Sequence, residues 1–553
     1  MSKTTWILSF IAFAVFLAAV PGAPASAEEV KQRQKLDNKR VDEAVKKGVE
    51  FLKTQQKPDG SWSGTLFWEN LYPYGTTALC LFAIVKGGEP KNSPAVKKAL
   101  NYLTTPPNKW KYIYEAATLV LALAALAEED EEEKTEEPPK DGEPAKDLRT
   151  APLPEDPGVD GKKNLKKLNP NLSGLMKEAV DYIITNKRKE DVWRYPGLSL
   201  GGPTDASNTQ YACMALFAAR RLGFQIPNAM FVQIAEYFLK QQQPDGPEVP
   251  GFRVPGADLC MADLLDIEKE WRKNFNKMLA EDKKAAKKEG KEFEGADLNT
   301  VPRDNPYDNP NIGAEIGKFK ARGWSYVPQD APKTQQNMTV PQFMYDFTGS
   351  MTCSGVICCM LSKLYLEKTS WYKQNGKKLE RAIRDGLAWL VTNWKTDMNP
   401  GAGAEDSWRY YYFYAIERAA VLTILLDVGS HDWHYEIGNI ILGEQQADGS
   451  WKGVKAVAPQ GIRPFEHGPL WNTCFAILFL KKATTPIVKE EVIYTGEGLL
   501  KNAPKPEKEE PKKPAPEPEP PKVEPKPEPQ PEDNPGKNDG GSGGGDSGEN
   551  SGE

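Results

Sequence analysis

The stretch Gln56-Lys57-Pro58-Asp59-Gly60-Ser61-Trp62 decides how this chain is read. Val41, Val45, Val49 and Leu52 recur at helical spacing just before it. Asp-Gly then turns the chain, because glycine reaches positive φ without steric cost. An indole two residues later can fold back over the helix end, and a glutamine side chain can bond backbone groups freed there. The pattern returns as Gln445-Gln446-Ala447-Asp448-Gly449-Ser450-Trp451, and in worn form as Gln242-Gln243-Pro244-Asp245-Gly246-Pro247. A single copy would be an ordinary turn. Recurrence after a helical pattern indicates a repeat.

Working outward, six units emerge, each with a tryptophan between an outer and an inner helix: Trp62, Trp110, Trp193, Trp324, Trp408 and Trp451. The outer segments are amphipathic. The inner ones, such as 75–85, 112–127 and 350–366, are apolar on nearly every side, as a helix buried all round should be. One pair alone would expose apolar surface, whereas six can close into a ring of inner helices within a ring of outer ones. The spacing therefore predicts an all-α (α/α)6 toroid, which needs no end caps.

The remainder of the 553 residues frames that domain. Residues 1–27 read as a secretory signal with cleavage near Ala27, an uncleaved membrane anchor being the rival reading. The barrel spans 28–487, interrupted by an acidic insertion at 128–170 and a charged one at 257–322. The Pro/Glu/Lys-rich, then Gly/Ser-rich tail at 488–553 and the acidic insertion have too little apolar surface to fold. No further stretch predicts a membrane span in the mature chain. The net charge of −6 gives no basic footprint for nucleic acid. Seven cysteines, mostly within apolar helical patterns, read as small buried hydrophobes, with one disulfide left open by the exported setting.

The Gln-x-x-Asp-Gly-Ser-Trp motifs resemble the QW repeats of the squalene–hopene cyclase and protein prenyltransferase superfamily. The resemblance covers about residues 39–485 and implies the (α/α)6 barrel. The stretches 205–211, 349–352, 411–418 and 431–433 resemble a secreted branch of Planctomycetes-type bacterial proteins. Cyclases of this superfamily begin catalysis with a protonated aspartate in an Asp-x-Asp-Asp motif, which this sequence lacks. Prenyltransferases hold zinc through Asp-x-Cys and a later histidine. The nearest match is Asn472-Thr473-Cys474, with His467 upstream, so Cys474 and His467 are the weak metal candidates and packing is the alternative for Cys474. The complement-type thioester motif is absent, and no cofactor is expected.

In such a barrel the starts of the inner helices converge at one mouth, where helix N-termini favour anions. Residues at that level are Asp205, Asn208, Asp346, Glu405, Asp406, Arg409, Glu466 and His467. Asp205, Asp406, Glu466 and His467 are the catalytic candidates, with His467 as acid–base group. Asp205 and Asp406 read equally as N-caps, and His431 and His434 as surface or capping residues. Three functional readings follow: an exported toroid binding a hydrophobic, isoprenoid-like or envelope-derived ligand; an atypical terpenoid cyclase, transferase or polysaccharide lyase, whose aromatics would stack on sugars; or an envelope interaction protein that meets a partner through its tail.

Overall fold

In the computed structural model the described residues are 36–64, 69, 71–106, 108–128, 168–188, 192–194, 204–267, 316–335, 338–339, 342–402, 408–455 and 466–484, with the isolated positions 270, 284 and 288. Two units divide the chain, 1–501 and 502–553, and the second lies wholly outside the described residues. So do the signal segment 1–27, the tail from 488, residues 129–167 of the acidic insertion, Glu405 and Asp406.

Among the described residues, besides a four-residue helix at Pro255–Asp258, twelve helices alternate between two layers. They are α1 Asn38–Thr54, α2 Pro73–Lys86, α3 Pro94–Thr104, α4 Ile113–Ala127, α5 Pro170–Thr185 and α6 Ala206–Arg221. They continue as α7 Asn228–Gln241, α8 Gly349–Leu366, α9 Ser370–Thr392, α10 Arg409–Thr423, α11 Trp433–Glu444 and α12 Pro469–Leu480. Starts are marked chemically. Ser93 and Asn169 cap helices that carry proline at the first position, and Thr348 and Thr369 cap α8 and α9. The even-numbered helices pack in the order α2, α4, α6, α8, α10, α12 and back onto α2, which closes the inner ring. Outside it, α1 lies on α12 and α2, α5 on α4 and α6, α7 on α6 and α8, and α11 on α10 and α12. Inner helices are buried on nearly all sides, α10 from Tyr410 through Thr423 without a gap. The same burial accounts for α8: it is long and apolar enough for a membrane span, yet it is a core helix of the ring.

The repeated motif holds the two layers together. Four tryptophans donate the indole N–H to a carbonyl in the last turns of the preceding outer helix: Trp62 to Leu52, Trp193 to Ile183 and Trp451 to Ile441 at 2.7 Å, and Trp324 to Phe238 at 2.8 Å. Leu52 O and Phe238 O also accept from the cap residues Gln55 and Gln242, so there the indole adds a second bond to a helix-end carbonyl. The backbone N–H of Trp62, Trp324 and Trp451 is received by Thr77, Thr352 and Thr473 of the next inner helix, at 2.9, 3.2 and 3.1 Å.

The glutamine works sideways. Gln56 donates to Gly60 O at 3.1 Å in its own turn and to Ala95 O at 2.9 Å in α3. Gln242 reaches Ala382 O in α9, and Gln445 reaches Ala44 O in α1, which joins the last outer helix to the first. Gly60 and Gly449 are fixed twice over. Both have φ +90, and a β-carbon there would meet the backbone oxygen of Lys98 or Lys47 at 2.1 or 2.4 Å.

Two of the six tryptophans depart from the expected staple. Trp110 is buried, but its indole nitrogen has no hydrogen-bond partner. Trp408 occupies the N-cap position of α10 at φ 57 and stacks on Trp471, ring centroids 6.1 Å apart. The helix before it, α9, ends in a different chain path, and Trp394 of that segment donates to Glu436 instead. The worn motif also differs downstream. Glu248–Pro250 pairs antiparallel with Lys318–Lys320, so the charged insertion leaves and re-enters the barrel through a two-stranded base.

Trp451→Phe leaves a void and also takes the donor from Ile441 O, whereas Trp110→Phe leaves a void with no bond to lose; in urea unfolding the first is expected to cost about 1–3 kcal/mol more than the second.

Candidate ligand site at the ring axis

Three buried carboxylates stand at the starts of inner helices. Asp205 caps α6, accepting from Asn208 N at 2.6 Å and Asn208 Nδ2 at 2.9 Å. Burial raises its pKa to about 7 against these hydrogen bonds. Glu69 accepts from Trp471 N at 3.2 Å at the start of α12, and burial raises it to about 7 as well. Its Oε2 lies 2.2 Å from where a β-carbon on Gly468 would sit, so a side chain there would displace the carboxylate. Glu115 closes a capping box on α4, accepting from Lys111 N at 2.7 Å and reaching Gly75 N of α2 at 3.3 Å; burial raises its pKa too.

Of the four catalytic candidates, Asp205 is the one whose side chain is described, and it is held by Asn208 of its own helix start and by Tyr326. Glu466 and His467 form a short strand antiparallel to Val454–Lys455. The alternative N-cap role of Asp406 falls to Trp408. Arg409 does not face the mouth: it pairs outward with Glu444 of α11 at 2.6 Å. Asp346 accepts from Gln342 Nε2 at 3.4 Å, next to its own 3-10 turn.

The histidines expected at the surface are more engaged. His431 stacks on Trp394 and lies 3.2 Å from Glu436. His434 stacks on Phe479 of α12, and burial holds its pKa well below the usual value. Cys474 packs its thiol 3.7 Å from that of Cys80 across the α12–α2 seam. Among the described residues no three His, Cys, Asp or Glu converge as metal ligands.

Inside the ring the middle is filled. Gln210 Oε1 accepts from Ser354 Oγ and Tyr411 OH, both at 2.9 Å, and Ser207 Oγ lies 3.1 Å from Tyr411 OH. Tyr114 bonds to Ser207 from the opposite side, and Tyr211 stacks on Tyr411. This plug joins α4, α6, α8 and α10 across the axis.

Beyond the plug, towards the C-terminal ends of the inner helices, lies a cavity of about 70 Å³. Phe82, Leu121, Phe217, Leu361, Leu422 and Thr484 contribute to its wall, one from each inner repeat, which places it on the axis. Arg418 of α10 also lines it. That side chain is 1% exposed, and its Nε, Nη1 and Nη2 have no hydrogen-bond acceptor. The faces of Tyr414, Tyr211 and Tyr411 surround it at 4.1, 5.5 and 5.8 Å. Cation–π contacts stabilise by about 0.5–2 kcal/mol each. An arginine stays ionised, and leaving its charge buried without an anion costs several kcal/mol. The rings therefore lessen the cost without replacing the missing acceptor.

The cavity is far smaller than the roughly 300–1,000 Å³ typical of pockets for drug-sized ligands. A triterpene-length molecule does not fit in it. The expected central cavity is thus corrected in place and size: tyrosines occupy the middle of the ring, and the open space lies at the end opposite the predicted mouth.

Residues 2–112 match the family model for the squalene–hopene cyclase C-terminal domain, a match that begins within the segment read as an export signal. The match makes that N-terminal part of the chain similar to the cyclase domain, and the closed double ring of helices is in keeping with it.

Asp205 provides a pH test. Its folded pKa lies above its unfolded one, so the native state binds the extra proton between pH 4 and 7. Stability is then highest below that window and falls as pH rises through it. Asparagine caps a helix nearly as well. Relative to Asp205→Asn, the wild type should lose on the order of 2 kcal/mol between pH 5 and pH 8, read from urea melts at both pH values.

Proposed function

From a squalene–hopene cyclase-like chain of the terpenoid cyclase superfamily as premise, we propose an exported toroid that binds a small, largely apolar ligand and does not cyclise isoprenoids. The observation that carries this reading is the axial cavity, walled by apolar side chains from all six repeats. Cyclisation asks for a carboxyl acid strong enough to protonate an alkene. Asp205 and Glu69 are pushed the other way, to about 7, by burial. Both are also engaged at helix starts, where a departing proton would leave an anion facing backbone N–H groups rather than a substrate. Export rests on the charged and apolar segment at residues 1–27 and its Ala25-Ser26-Ala27 sequence.

The test is to express the full chain with its own leader, recover it from the exported fraction, and identify co-purifying molecules by native and solvent-extraction mass spectrometry. The expected result is a small apolar or amphipathic species near one per chain, lost by at least about tenfold from Ala124→Phe, which fills the cavity. An empty protein, retention unchanged in Ala124→Phe, or turnover of squalene would contradict the proposal. Recovery of all the protein from the cytoplasm would count against export.

A further inference from the structure

We infer that the axial cavity is a carboxylate site, in which the Arg418 guanidinium takes the head group of a monocarboxylic acid with an apolar tail. This rests on the reading of the cavity as a ligand site and names what that ligand carries. The first observation is the side chain itself: fully buried, charged, lining the cavity, and without an acceptor on any nitrogen among the described residues. The second is that the neighbouring charges are already committed. Glu128 pairs with Lys86 at 2.6 Å, and Glu417 receives Thr484 N at 3.0 Å and Thr484 Oγ1 at 2.7 Å. Among the described residues no carboxylate reaches salt-bridge distance of Arg418.

The chemistry selects the anion. A guanidinium presents a planar fork of donors that a carboxylate meets with two parallel hydrogen bonds. One positive charge is balanced by one negative charge. A phosphate brings closer to two charges and a third oxygen; the other cations of the wall, Lys86 and Arg221, are paired with Glu128 and laid over the Phe217 ring. A volume of about 70 Å³ holds a carboxyl group and the first methylenes, packed on Phe82, Leu121, Phe217 and Leu422, and the rest of the tail leaves through the open side of the cavity. The tyrosine faces around the guanidinium exclude water and fix its plane, so the fork is oriented before the ligand arrives.

Calorimetric titration of the full chain with octanoate, octan-1-ol and inorganic phosphate separates the contributions. Arg418→Met is the variant of choice, because methionine packs against aromatic rings and removes the buried charge without leaving a large void. Wild type should bind octanoate at least about tenfold more tightly than octan-1-ol, and Arg418→Met should erase that difference with octan-1-ol binding unchanged. Equal octanoate affinity in wild type and Arg418→Met would overturn the carboxylate site and leave the apolar cavity standing. Failure of both octanoate and octan-1-ol to bind wild type would overturn the cavity reading as well. Phosphate competing as strongly as octanoate would overturn the assignment to a tailed monocarboxylate. So would a fall of more than about 5 °C in Tm for Arg418→Met, since it would mean that the chain itself already supplies the anion.

Discussion

The bond from a tryptophan indole N–H to a carbonyl near the end of an outer helix is the constraint on which this architecture depends. It occurs in four of the six turns, at Trp62, Trp193, Trp324 and Trp451, with lengths of 2.7–2.8 Å. Each such bond anchors the indole on a carbonyl at the end of the outer helix, at Leu52 and Phe238 beside the cap residue's own N–H. At Trp62, Trp324 and Trp451 the backbone N–H meets a threonine of the following inner helix, so one residue fixes both members of its pair. In three of the six units the glutamine of the same motif ties a pair to its neighbour, and Gln445 on Ala44 ties the end to the beginning. A chain built this way has no terminal repeat to fray.

Closure has consequences for the interior. The inner helices must be apolar on all faces, and what polar groups remain on the axis must find one another. Gln210, Ser207, Ser354 and Tyr411 do so. Arg418 does not, and it stands where an axial space opens. A double ring whose centre is taken up by tyrosines has little room for a polyisoprenoid. The retained barrel and the altered centre together motivate a binding function.

Much of this was legible in the residues. Helical spacing before each motif, glycine at the turn and the tryptophan positions were enough for the double ring, because all are local properties of a repeat. The departures at Trp110 and Trp408 depend on how each particular turn is routed, which periodicity does not encode. The candidate site was less legible. Asp205 could be seen as a cap. Glu69 could not be placed, because its carboxylate meets α12, some 400 positions away in sequence. Glu115 carried a readable signal, an acid three residues into an apolar helix. Arg418 carried a stronger one: with Glu417 it is one of two charges in the middle of Tyr411 to Leu422, an otherwise uncharged inner segment. Such a charge must face either a partner or a space.

Hydrogen exchange of the indole N–H groups, followed by NMR on tryptophan-labelled protein, tests the clasped ring most directly. If the ring closes as one cooperative unit, Trp62 and Trp451 in the first and last repeats will exchange as slowly as Trp193 in the third, all limited by global unfolding. Exchange at Trp62 and Trp451 well ahead of Trp193 would show ends that open independently, and would contradict a closed ring held by these bonds.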